Sequence, residues 1–234
     1  MNAKHVLVSF LSSALLLACG GSQPAPAASP GAPAASTAPT TVASSPEAPA
    51  SAPIVRFDDL GVSLAVPSYM RVMGDDELAT RIRASANQHL TEDLKANVTR
   101  KIGLPLLTLA KADARTADDA LDVLLLAEAV PADTSASELM SEEVLFMKEN
   151  LQDFAVDRGP SPITVDGVAG TEIEDSYVLR TNAGPTKMRA HVRLFLRDNR
   201  AFTISAVWRS SAPPARELEA TSLLDGVRFY EPTP

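Results

Sequence analysis

The chain contains one cysteine, three histidines and only 5% aromatic residues in 234 positions. One cysteine excludes an internal disulfide framework. Of the histidines, His5 lies near the start, and His89 and His191 each stand alone without metal-ligand spacing, so no metal site and no cofactor is expected. Positive charge is also short: 21 Lys and Arg face 29 Asp and Glu, for a net charge of −8. Sequence-independent nucleic-acid binding draws most of its affinity from a basic footprint, so that class is excluded. No G-x-S-x-G elbow, P-loop or G-x-G-x-x-G occurs, and Gly167-Val168-Ala169-Gly170 lacks the required spacing. No repeat at solenoid periods is visible.

What is present begins at residue 1. Lys4 and His5 precede an apolar run from Val6 to Ala18, which is followed by the lone Cys19. Thirteen residues are too few to span a bilayer, so residues 1–18 read as a secretory signal peptide. The junction Leu16-Leu17-Ala18-Cys19 resembles the lipobox of bacterial lipoproteins. That resemblance implies cleavage before Cys19, diacylation of its thiol and acylation of the new amine. A single acyl chain holds a protein only marginally, and two or three make anchoring durable. Gly20 follows the cysteine where an inner-membrane retention signal would place Asp. The resemblance therefore implies an outer-membrane protein facing the periplasm, with the membrane as partner through Cys19.

Residues 20–53 number 34, of which 31 are Ala, Pro, Ser, Thr or Gly, including eight prolines between Pro24 and Pro53. Such a composition buries no core, so residues 19–53 read as the lipidated cysteine and a disordered tether. Proline-rich chain extends by about 3.1 Å per residue, which sets a limit on the order of 100 Å.

From Ile54 the composition changes, and residues 54–234 read as one domain of ordinary size. Ile54-Val55-Arg56-Phe57 and Val62-Ser63-Leu64-Ala65-Val66 flank a turn at Asp58–Gly61, the signature of a hairpin. Residues 75–101 carry apolar residues at four-residue steps and predict a helix, with a possible break near Asn87. Leu104–Ala112 and Leu121–Val130 are continuous apolar runs that predict strands buried on both faces. Ser135 and Glu138 form a capping box ahead of the stripe Met140, Val144, Met147 and Leu151. A turn is predicted at Gly159–Pro162, followed by strands at Ile163–Val165, Ala169–Arg180, Lys187–Arg197 and Arg200–Trp208. Turns at Asn182–Pro185 and Asp198-Asn199 join the last three of these strands into a meander. A last helix after Ser210–Pro214 and a short strand at Val227–Phe229 complete an α+β order, an antiparallel sheet with helices packed on it.

Three segments carry a further resemblance: Gly61-Val62-Ser63-Leu64-Ala65-Val66-Pro67, Val165-Asp166-Gly167-Val168-Ala169-Gly170, and Leu223-Leu224-Asp225-Gly226-Val227-Arg228-Phe229. Through them the domain resembles the PsbP-like fold, including bacterial lipoproteins of the LpqN and DcrB kinds. The resemblance implies a PsbP-like sandwich over most of residues 54–231. That family shares no catalytic residues, so it implies none here.

Two groups of side chains stand out as candidate sites. Arg189, His191, Arg193 and Arg197 alternate with apolar residues and so share one strand face. They read either as a solvated row with cross-strand charge pairs or as a cationic binding face for an anionic group or acidic partner. A turn centred near Ala183 and Gly184 would set Glu174 opposite Arg193. Met140, Met147 and Trp208 read as core, or as the lining of an apolar pocket. Asp118, Asp119 and Asp122 lack the ligand spacing of a calcium loop and read as caps and turns. The expected function is that of a non-catalytic, membrane-anchored envelope lipoprotein that binds a protein partner or supports an envelope complex. The alternative is a carrier or sensor of a small apolar ligand. An enzyme would need a nucleophile with its base, and none is legible.

Overall fold

The computed structural model describes residues 52–74, 76–78, 80, 106–181 and 184–233. The lipobox, the tether and nearly all of the helix expected at 75–101 lie outside the described residues; 76–78 and 80 are helical.

The opening hairpin forms as expected: β1 (Ile54–Phe57) pairs antiparallel with β2 (Val62–Ala65). Its turn needs glycine, because Gly61 has φ +62° and a Cβ there would sit 2.2 Å from the Tyr230 carbonyl oxygen. The last strand, β10 (Val227–Phe229), joins the other side of β2, so the two ends of the domain close one three-stranded sheet.

The remaining strands build a second sheet of seven, antiparallel throughout. They are β3 (Met70–Val72), β4 (Leu107–Lys111), β5 (Asp122–Ala129), β6 (Gln152–Val165), β7 (Val168–Thr181), β8 (Gly184–Arg197) and β9 (Arg200–Arg209). Their spatial order is β3-β4-β5-β9-β8-β7-β6, so the meander from β6 to β9 runs in sequence and β5 docks on its far side. Among the described residues two longer helices pack on these sheets, α1 (Ala136–Asn150) and α2 (Ala215–Leu224). The predicted capping box holds α1: the Glu138 amide donates to Ser135 Oγ at 3.2 Å, and the Ser135 amide donates back to Glu138 Oε2 at 3.1 Å.

Side chains alternate along each strand, so the two faces of the seven-stranded sheet feed separate cores, and Ala110, Leu124 and Leu126 form a further cluster with Met73 and Leu78. On one face, Val123, Leu125, Ile204 and Trp208 pack against α2 and the three-stranded sheet through Leu64, Leu223, Leu224 and Val227. There Phe229 meets the rings of Phe195 and Phe202 edge-on, at 5.1 and 5.5 Å. On the other face, Tyr177, Met188, Val192 and Leu194 pack under Leu139, Met140 and Met147 of α1.

Three expectations change. The turn expected at Gly159–Pro162 is instead the middle of β6, which runs unbroken from Gln152 to Val165. Proline lacks an amide proton and is tolerated where the ladder is interrupted or at a sheet edge. β6 is such an edge, and its register with β7 shifts at Gln152/Ala155, Val156/Arg158 and Arg158/Ser161. The β7–β8 hairpin closes at Thr181 and Gly184, one residue earlier than expected, which moves every cross-strand partner by two. Glu172 therefore faces Arg193, and Glu174 faces His191. A shift of two keeps each side chain on its expected face. The third change is that β8 and β9 are not left open to solvent: α1 packs on one side and α2 with the small sheet on much of the other, while the edge strand β6 stays largely exposed.

Candidate functional site

Arg189, His191, Arg193 and Arg197 do share a face of β8, together with Phe195. Neither sequence reading of an exposed row describes them. His191 is only 2% exposed and Arg193 is also buried, because α2 and the edge strand close over this part of the sheet. Charge brought under a roof must be paired, and each cation has an acidic partner. Arg189 Nη1 donates to Glu217 Oε2 of α2 at 2.6 Å, and its guanidinium lies 5.6 Å from the Trp208 ring centre. Arg193 Nη1 lies 2.8 Å from Asp225 Oδ1 at the end of α2. Arg197 Nη1 donates to the Tyr230 carbonyl at 2.6 Å and to that of Gly61 at 3.3 Å, pinning the C-terminal segment to the first hairpin.

The two glutamates of β7 organise the centre. Glu172 Oε2 accepts from Arg193 Nε at 3.0 Å and from His191 Nε2 at 3.1 Å. Burial raises the Glu172 pKa, but the hydrogen bonds from His191 and Arg193 outweigh it and leave the carboxyl below its ordinary value. Glu174 is held by Arg158 of β6, with Arg189 3.9 Å away. His191 Nε2 is the donor nitrogen, so Nδ1 carries a lone pair, and Nδ1 has no hydrogen-bond partner. Burial first, and then the charge of Arg193, lowers the His191 pKa against the pull of Glu172 and Glu174, so the ring is neutral at neutral pH. A cavity of about 10 Å³, room for one water, adjoins the ring and is lined by Arg158, Gly159, Ser161, Glu172, Ile173 and Glu174.

Met140, Met147 and Trp208 do not line a common pocket. Both methionines pack between α1 and the sheet, whereas Trp208 points through the other face toward α2 and the small sheet. The sheet itself separates them. Asp118 and Asp119 behave as cap and turn: Asp119 closes a capping box with Thr116, and Asp118 Oδ1 accepts from Ser211 at 2.7 Å. Among the described residues no cluster of His, Cys, Asp and Glu has metal-binding geometry.

Sequence reasoning passed over Asp175. It is 0% exposed beneath α1, and neither carboxyl oxygen has a hydrogen-bond partner. Burial, then repulsion from Asp157, pushes its pKa up to about 8. The signal was present: Ile173, Asp175, Tyr177 and Leu179 alternate on the apolar face of β7, and Asp175 is the charged residue in that series. A roomier hollow of about 410 Å³ opens where the β6–β7 turn meets the C-terminal segment, lined by Val168, Leu196 and Phe229 with Asp166, Arg197 and Glu231.

Comparisons with known proteins give likeness in structure only: no family model matches the chain, and no curated protein matches it. Solved structures similar to it include LpqN of Mycobacterium tuberculosis, a protein involved in cell envelope biogenesis (11% identity, 72% of this chain and 82% of that one, TM-score 0.44). Cyanobacterial PsbP, CyanoP, of Synechocystis is another (8% identity, 80% and 98%, TM-score 0.49). The Ran-binding protein Mog1p of Saccharomyces cerevisiae is a third (10% identity, 76% and 94%, TM-score 0.44).

Proposed function

We propose that the chain is a lipid-anchored protein of the bacterial envelope, most simply at the outer membrane facing the periplasm, whose domain binds a protein partner without catalysing a reaction. The observation that carries anchoring is Leu16-Leu17-Ala18-Cys19 at the end of a thirteen-residue apolar run, followed by a 34-residue tether. The non-catalytic part of the reading is supported by how the polar groups are spent. The carboxylates of Glu172 and Glu174 are held by arginines, and His191 meets a space the size of one water. The open hollow beside Asp166, Arg197 and Phe229 offers a mixed charged and apolar surface for a partner's side chains.

Cys19→Ser tests the anchor. It is expected to move the protein from washed membranes to the soluble fraction. Full retention in the membrane fraction by Cys19→Ser would refute the lipoprotein reading. A photo-crosslinker at Val168 in intact cells should trap a discrete protein adduct, and trapping of none would count against partner binding at the hollow.

A further inference from the structure

Glu174 Oε1 is the atom on which two groups converge. Arg158 of β6 is bonded to it, and His191 Nδ1 of β8 lies 4.0 Å away, beside the one-water cavity. With Nε2 as the donor nitrogen, Nδ1 presents a lone pair to a carboxylate, a repulsive arrangement that leaves the oxygen to Arg158. Adding a proton to Nδ1 reverses this: the ring becomes a donor on both sides and bridges Glu172 and Glu174. Glu172 and Glu174 from β7 and Arg193 from β8 act on the ring, Arg158 from β6 lines the cavity beside it, and Arg189 follows on the same face of β8 within 3.9 Å of Glu174. Behind them, Glu217 and Asp225 of α2 hold Arg189 and Arg193. Asp157 of the β6 bulge is engaged with the Ser176 hydroxyl at 3.2 Å. A fourth cation competes with the others for the same carboxylates, and their positions rank them. Arg189 and Arg193 keep partners on α2, whereas the Arg158 side chain is 63% exposed and can return to water at little cost.

We propose that His191 is a proton-operated latch for the edge strand: protonation transfers Glu174 from Arg158 to His191 and frees the central bulge of β6 on acidification. The site of action is an edge, where β6 is joined to the sheet on one side only and its ladder is already interrupted around Arg158. α2 stays in place because its ion pairs are not the ones exchanged.

Hydrogen exchange on the full-length protein in detergent, read by mass spectrometry as protection factors at about pH 7.5 and about pH 5, tests the latch. Peptides of β6 around Arg158 are expected to lose protection roughly fivefold on acidification, while β4, β5 and α2 hold theirs. His191→Gln, which cannot gain the proton, should remove the response. Arg158→Gln, at an exposed position that disturbs no core, should leave β6 in the low-protection state at both pH values. Unchanged β6 protection in the wild type overturns the proposal. So does a response that persists in either variant, or a loss shared equally by all strands. The Arg158→Gln arm keeps the test decisive should His191→Gln not fold.

Discussion

Replacing Asp175 by Asn should stabilise this protein at neutral pH, and by an amount that grows with pH. The carboxyl is buried with both oxygens unpartnered, and its pKa is about 8 in the folded chain against 3.8 for the free group. Because the folded value lies above the unfolded one, the unfolded chain releases the proton first as pH rises. The contribution is fully present below about pH 4, is lost progressively through neutrality, and levels off above about pH 8. At about 1.4 kcal/mol per pH unit, the loss between the unfolded pKa and pH 7 is roughly 4 kcal/mol. That figure depends on where the unfolded chain begins to ionise, and is insensitive to the folded value so long as it stays above 7. Asparagine keeps the shape and carries no proton to lose. Its amide is as poorly partnered as the neutral acid, so the two chains should be of similar stability near pH 4. Urea unfolding between about pH 4 and pH 8 measures this. The gap between Asp175→Asn and wild type should open from near zero to several kcal/mol, a large fraction of the stability of an ordinary domain. A gap that does not change with pH would refute the argument, because it would mean that Asp175 is ionised beneath α1 or that the region is open to water. A variant less stable than wild type at pH 7 would do the same.

Ser135→Ala removes the cap of α1 and should lower stability by about 1 kcal/mol, read as a shift in urea midpoint with unchanged slope. Gly61→Ala places a methyl group against the Tyr230 carbonyl at a positive φ; it should cost more than about 1 kcal/mol and loosen the C-terminal segment first, visible as faster exchange of the Tyr230 amide. Equal stability in either variant would mean that the corresponding contact is not made.

Much of the local structure was readable because it depends on neighbours in the chain. The capping box of Ser135 and Glu138, the hairpin around Gly61 and the alternation along β7, β8 and β9 are short-range patterns, and each forms where expected. The misreadings share a cause. Gly159-Pro160-Ser161-Pro162 has the composition of a turn, and only its place at the sheet edge allows it to be strand. Pairing of Glu174 with His191 rather than Arg193 depended on a hairpin turn centred one residue earlier, which composition does not encode.

The sequence by itself showed a lipobox-like junction and a proline-rich segment ahead of an α+β domain, since these rest on composition and period. It also determined that Arg189, His191, Arg193 and Arg197 share a face, because the pleat repeats every two residues whatever the register. Whether that face met water was decided by tertiary structure alone, through α2 returning over it from the end of the chain. The same is true of Met140 and Met147, which the sheet separates from Trp208, and of Asp175, whose ionisation depends on the helix that covers it. Solvation is a property of what lies on top of a residue, and in this fold the covering elements lie outside the short windows over which composition and period can be read.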